Sequence, residues 1–312
     1  MLGRRNLRVK VMQALYAWEM DNSTPFVQLE GNLRTQIHRA VSLYLINLQY
    51  LVEVCNYSMV DKAKRMAKYI RTAEDEKAST TIAANRIVKY LQDNEEFNTL
   101  TKKDGLRNYI NEDLVKKLFN ELASKQRYKE YSAHSTTTLE QDKDIIIFLL
   151  KKIIHDSSDY HAFLEETFIN FDDDNDLLLH IISKFTEAFE EEKRNYFQSI
   201  EIWEEEKKFA FDLLAKTTEH NEELVAIIQP NLKNWEMDRV AVLDLILMKM
   251  AVCELKYFPT VPVKVSINEY IDISKLYSTP KSKDFVNGVL DKVRKQLLDK
   301  GEIKKFGRGL ME

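Results

Sequence analysis

The chain has 312 residues, with 46 Lys and Arg against 50 Asp and Glu and a formal net charge of −4, which excludes a surface that binds polyanions all over. Average usage would supply roughly 22 glycines and about 16 prolines. Seven glycines and five prolines are too few for the turns of an all-β fold, so the composition predicts a helix-rich molecule. The first predicted helix runs from about Arg4 to Met20, with Val9, Met12, Leu15 and Tyr16 at helical spacing. Arg4, Arg5, Arg8 and Lys10 precede its first acid, Glu19. Cations in a first turn oppose the helix dipole. They read either as a solvated basic end or as charges kept for an anion outside the helix.

From Thr24 to about Gln198 the pattern predicts helices at 26–56, 59–71, 75–93, 111–125, 139–155, 159–170 and 176–197. Polar joints separate them, and the joint from Tyr131 to Thr138, rich in Ser and Thr, is the expected mobile loop. The acids Asp172, Asp173, Asp174 and Asp176 read as a helix start near Asp176. A calcium loop beginning at Asp172 would need Gly where Leu177 stands and Glu where Ser183 stands. Beyond Ile200, Phe209, Leu213, Leu214, Leu224 and Ile228 supply the apolar faces of two helices. Val240 to Val252 is apolar nearly all round, broken by Asp244 and Lys249, and reads as a buried central helix.

Pro259 and Pro262 make 259–265 an extended connection. Ser266-Ile267-Asn268-Glu269 reads as a capping box opening a helix that ends near Tyr277. A last helix runs through Phe285 to Leu298. Inside it sits Gly288, where glycine costs about 1 kcal/mol relative to alanine, and the expected reason is close approach of another backbone or a ligand. Residues 299–312 read as a basic, poorly ordered tail.

Catalytic patterns are absent from the sequence. The six histidines are scattered, no glycine-rich phosphate loop or C-x-x-C occurs, and Cys55 and Cys253 sit apart in apolar surroundings as free thiols. The expectation is a non-enzyme with no cofactor, no metal and no small-molecule substrate. No apolar h-region follows the basic N-terminus, and Val41 to Val54 is too short and too polar to span a bilayer. A cytoplasmic protein without a membrane partner is therefore expected. Single-stranded RNA is the ligand these residues suit: Arg4, Arg5 and Arg8 for phosphates, Lys264 beside a helix N-terminus, and Phe285 flanked by Lys281 and Lys283. Periodicity leaves Phe285 equally suited to the core.

Four ordered stretches resemble the NusB family of transcription antitermination factors. Arg4-Arg5 with Val11-Met12-Gln13-Ala14-Leu15-Tyr16 is similar to that family's opening helix. Trp235, Asp238-Arg239, Asp244 and Lys249 to Leu255 are similar to its central helix, and Val261 to Glu269 and Phe285 to Asp291 to its last two signatures. The resemblance implies an all-α helical bundle in which residues 1–23 and 199–298 build a NusB-like core. Residues 24–198 are additional helices and 299–312 a flexible tail. It implies binding of boxA-type RNA together with NusE, a small ribosomal subunit protein, within the transcription elongation complex, which suppresses termination in ribosomal RNA operons. The implied RNA contacts are Arg4, Arg5, Arg8, Lys264, Lys281 and Phe285. The implied NusE surface includes Tyr16 and Asp244. Asn6 stands where some members have arginine, Lys281 where an acid is common, and Leu245 in place of a usually charged residue. Two rivals come from other classes. One is a protein-interaction module that keeps the fold and has lost RNA binding. The other is an RNA-binding accessory related to the N-terminal domains of ribosomal RNA methyltransferases, without their glycine-rich cofactor domain.

Overall fold

A computed structural model describes residues 3–21, 23–192, 199–232 and 240–310. Trp235, Asp238 and Arg239 of the central-helix resemblance lie outside the described residues. Among those described there are fifteen α-helices and no strand, so the molecule is all-α. The chain divides into two compact units, one formed by His38–Glu201 and the other by Leu2–Ile37 with Ile202–Glu312.

The second unit holds the residues singled out above. Its helices are α1 (Arg4–Met20) and the start of α2 (Phe26–Met66), and after the first unit α11 (Ser199–Glu219), α12 (Asn221–Ile228), α13 (Val242–Tyr257), α14 (Val263–Tyr277) and α15 (Ser282–Asp299). Helix α13 is the axis: α1, α12, α14 and α15 all pack on it, and every residue from Ile246 to Leu255 is buried. Burying a Leu, Ile, Val or Met side chain is worth about 1.5–3 kcal/mol, so a helix apolar on all faces takes the centre.

Three local features differ from the sequence reading. Helix α14 begins at Val263, because Pro262 occupies the N-cap with φ −60° and ψ 141°, a conformation proline already favours. Ser266 is therefore inside the helix and caps nothing. Its hydroxyl donates to Glu254 Oε1 at 2.7 Å, and the capping-box reading is replaced by a buried polar contact. A Cβ built on Gly288 meets nothing within 4 Å, and the residue is exposed, so close packing does not explain this glycine.

The third difference is the tail. Helix α15 closes in a Schellman turn, with Gly301 at φ +65°, Glu302 N–H donating to Leu297 O at 2.9 Å and Gly301 N–H to Leu298 O at 3.0 Å. The following residues dock on α13: Lys305 Nζ donates to the carbonyls of Glu254 and Phe258 at 3.1 and 2.9 Å, and Phe306 N–H to Pro259 O at 3.1 Å. A cation on the terminal carbonyls of a helix complements its dipole. The tail is anchored as far as Phe306.

The His38–Glu201 unit contains the remainder of α2, then α3 (Ala73–Glu76), α4 (Arg86–Asp93), α5 (Glu95–Lys103), α6 (Glu112–Ser124), α7 (Gln126–Ser132) and α8 (Leu139–Phe148). Helix α8 passes into a π-helical turn, Leu149–Ile154, and α9 (Ser158–Thr167) and α10 (Phe171–Glu187) follow. The acids 172–176 thus lie within α10 and not ahead of it. The Ser/Thr-rich joint is tied down. Thr138 forms a capping box with Gln141, and Thr137 donates through Oγ1 to the buried Asp142 at 2.7 Å and accepts at its carbonyl from Arg86 at 3.0 Å.

Candidate nucleic-acid interface

The arginines at the start of α1 are matched by acids from other helices, which resolves their unfavourable place in the first turn. Arg4 Nε donates to Glu206 at 2.8 Å. Arg5 forks onto Glu269 at 2.8 and 3.0 Å and reaches Asp272 at 3.0 Å, and its pKa is raised chiefly by the hydrogen bond to Glu269. Both arginines stay partly exposed beside their acids.

Arg8 departs from the RNA-binding expectation. It is 2% exposed, and its Nε and Nη2 donate to Glu254 Oε2 and Oε1 at 2.9 and 2.6 Å. Its guanidinium carbon lies 5.1 Å from the centre of the Phe209 ring and 5.7 Å from that of Tyr270. Glu254 is fully buried and also accepts from the hydroxyls of Ser266 and Tyr270 at 2.7 and 2.8 Å. Burial alone would raise the Glu254 carboxyl, but the hydrogen bonds and charge of Arg8, helped by the two hydroxyls, hold it below its ordinary range. Arg8 is a structural cation with no face for a ligand.

Lys264 is exposed and is the second residue of α14, in the turn where free backbone N–H groups favour anions. Lys281 and Lys283 are exposed at the start of α15, and Phe285 is half-buried. It stands beside the core stripe of Val286, Val289, Leu290, Val293 and Leu297. Lys281, Phe285 and Gly288 share one face at helical spacing. Helix α14 separates the two groups: Lys264 is at its start and Lys281 beyond its end, about 20 Å away along the axis at 1.5 Å per residue. Arg5 lies against the middle of α14, on Glu269 and Asp272, with Lys264 at the start of that helix and Lys281 and Phe285 beyond its end.

Asp244, expected on a partner surface, is 4% exposed. Its carboxylate accepts from Ser278 and Ser282 at 2.7 Å each and fastens the α14–α15 turn to the start of α13. Tyr16 is 43% exposed. It lines a groove of about 600 Å³ with Met12, Gln13, Val242, Leu243 and Tyr277. The reading from sequence missed Glu254, whose only signal was a carboxylate on a helix expected to be buried, and missed Glu269 and Asp272 as the counter-charges of Arg5.

Residues 174–295 match the NusB family model. The chain is 46% identical over 99 residues to a transcription antitermination protein NusB of Salinibacter ruber, covering 32% of this chain and 62% of that protein. It is 48% identical over 85 residues to one of Chloroherpeton thalassium, covering 27% and 40%, and 54% identical over 68 residues to one of Listeria monocytogenes, covering 22% and 53%. The chain thus spans about half the length of these relatives. No solved structure matches it.

Proposed function

We propose that this chain, which carries a NusB-family domain over residues 174–295, is a transcription antitermination factor that binds boxA-type single-stranded RNA together with NusE. The identity to proteins named for antitermination carries the reading. The surface supports it: exposed cations at both ends of α14, a half-buried aromatic between the lysines of α15 and the core, and an apolar groove around Tyr16 for a protein partner. Arg4, Arg5, Lys264 and Lys281 neutralise phosphates and Phe285 stacks a base, while the Tyr16 groove receives NusE. Binding, not bond chemistry, is the function.

A gel-shift titration with boxA-like RNA, with and without NusE, tests this. The expected result is a retarded complex strengthened by NusE. Binding of NusE with no RNA retardation under either condition would overturn it in favour of a protein-interaction module.

A further inference from the structure

We propose that residues 59–71, the end of α2 and the turn after it, form a second contact for single-stranded RNA in the His38–Glu201 unit, with Tyr69 stacking a base and Lys62 and Arg71 taking phosphates. The inference rests on the RNA-binding reading above and uses none of its residues. In a chain of net charge −4, this stretch holds five cations and one acid. Arg65 neutralises that acid, Asp61, at 2.7 Å, and Lys68 is committed to Asp75 at 2.7 Å. Lys64 lies 5.4 Å from the centre of the Tyr57 ring. Lys62 and Arg71 are exposed and pair with no acid among the described residues.

The apolar side chains are as unusual as the charges. Tyr69 is 102% exposed and Ile70 79%, so neither contributes to a core. The turn that presents them is pinned on both sides. Thr72 donates through N–H and Oγ1 to Asp75 Oδ2 at 3.0 Å each, Asp75 N–H returns to Thr72 Oγ1 at 3.2 Å, and Lys68 Nζ grips the other carboxylate oxygen at 2.7 Å. A turn bonded on both sides to Asp75 thus carries an aromatic ring and its neighbour exposed to water beside Lys62 and Arg71, the combination that binds single strands through stacking and phosphate neutralisation. A flat anionic membrane suits the segment less well. Membrane-surface helices gather their apolar residues on one face, whereas Lys62 and Lys64 point to nearly opposite sides of the exposed end of α2, with Met59 and Val60 between them. The acids Glu74 and Glu76 follow the turn and bound the contact at Arg71.

The test is fluorescence anisotropy of a labelled 20-nucleotide oligouridylate with the full chain. The variants are Tyr69→Ala, the double Lys62→Gln/Arg71→Gln, and the double Lys264→Gln/Lys281→Gln. The first two alter exposed side chains and leave the thermal midpoint unchanged. Tyr69→Ala is expected to weaken binding about 5- to 150-fold, and Lys62→Gln/Arg71→Gln to flatten the log–log salt dependence by about 1.4. Weakening in the Lys264/Lys281 variant alone overturns this inference and leaves the α14–α15 site standing. Weakening in the 62–71 variants alone supports the inference and removes the α14–α15 site, and no binding by any form overturns both. Sedimentation with phosphatidylserine vesicles that the Tyr69 substitution abolishes, with RNA binding unchanged, also overturns it, in favour of a lipid surface.

Discussion

Arg8 of α1 grips both carboxylate oxygens of Glu254 of α13, at 2.9 and 2.6 Å, between the rings of Phe209 and Tyr270. The pair links the N-terminal helix to a helix 246 positions away in sequence and fixes how α1 lies on the bundle. Removing one partner strands the other's charge in the core, which costs about 3–5 kcal/mol. Arg8→Ala and Glu254→Gln are each expected to lower the urea midpoint accordingly. Arg8→Met/Glu254→Met should lose less than the two single losses combined. The salt slope of RNA binding in any Arg8 variant that still folds should match the wild type. A flatter slope would return Arg8 to the RNA surface.

The same pair sets an acid limit on stability. The folded Glu254 carboxyl titrates below its ordinary value, which is about 4.3, so between the two values the unfolded chain binds the proton more readily than the folded one. The contribution is therefore complete above pH 4.3 or so and is lost as the pH falls through the lower folded value. Denaturant midpoints measured from pH 6 down to pH 3 should fall more steeply for the wild type than for Glu254→Gln. Parallel curves would show that the ion pair does not couple folding to this proton.

How much of this was legible in the sequence follows from where each signal resides. Helix α1, expected from about Arg4 to Met20, is found at Arg4–Met20, because its period and its polar flanks agree. The central position of α13 was readable because apolar residues on every face leave a helix no solvent side. Side-chain partners were not readable. Arg8 and Arg5 are both arginines in the opening turns, yet one is buried on Glu254 and the other exposed beside Glu269, a difference decided by acids some 250 residues away. The resemblance places Asp244 on a partner surface, whereas its carboxylate is held by Ser278 and Ser282 of a different turn, which no local pattern around Asp244 announces. The Ser266 box misled because Pro262 sets the helix start four residues earlier. Local propensity describes elements well, and burial of a charge depends on contacts that sequence proximity does not contain.

The surface cations carry a graded expectation. Four phosphates held by Arg4, Arg5, Lys264 and Lys281 give a log–log salt slope of about −3 for a single strand, at about 0.7 per phosphate, and Lys264→Gln or Lys281→Gln should each remove about 0.7. Phe285→Ala should cost about 1–3 kcal/mol of affinity if its ring stacks a base. Filter-binding titrations from 50 to 300 mM salt read all three. An unchanged Phe285→Ala variant would assign that ring to packing alone.

Arg5 must leave an acid to bind a phosphate. Its pairs with Glu269 and Asp272 are partly exposed, and exposed pairs are worth about 0–1 kcal/mol. Asp272→Asn removes one competitor without touching the Arg8 pair. It is expected to tighten RNA binding by up to about five-fold at low salt, with the gain fading as salt screens the charge. No gain at low salt would indicate that Arg5 stays on α14 in the complex.

Gly288 offers a test of which face of α15 would meet a ligand. It lies at mid-helix, exposed, with open space where a Cβ would stand. On stability alone alanine is better there by about 0.5–1 kcal/mol, and Gly288→Ala should raise the thermal midpoint. Lys281 and Phe285 share this face at i−7 and i−3, so a nucleotide seated on Phe285 would pass over the missing side chain. If that close approach is the reason for glycine, Gly288→Ala gains stability and loses RNA affinity together, and the larger Gly288→Leu loses more. A Gly288→Leu variant that binds RNA as the wild type does would move the ligand off this face and leave Lys281 a solvated charge.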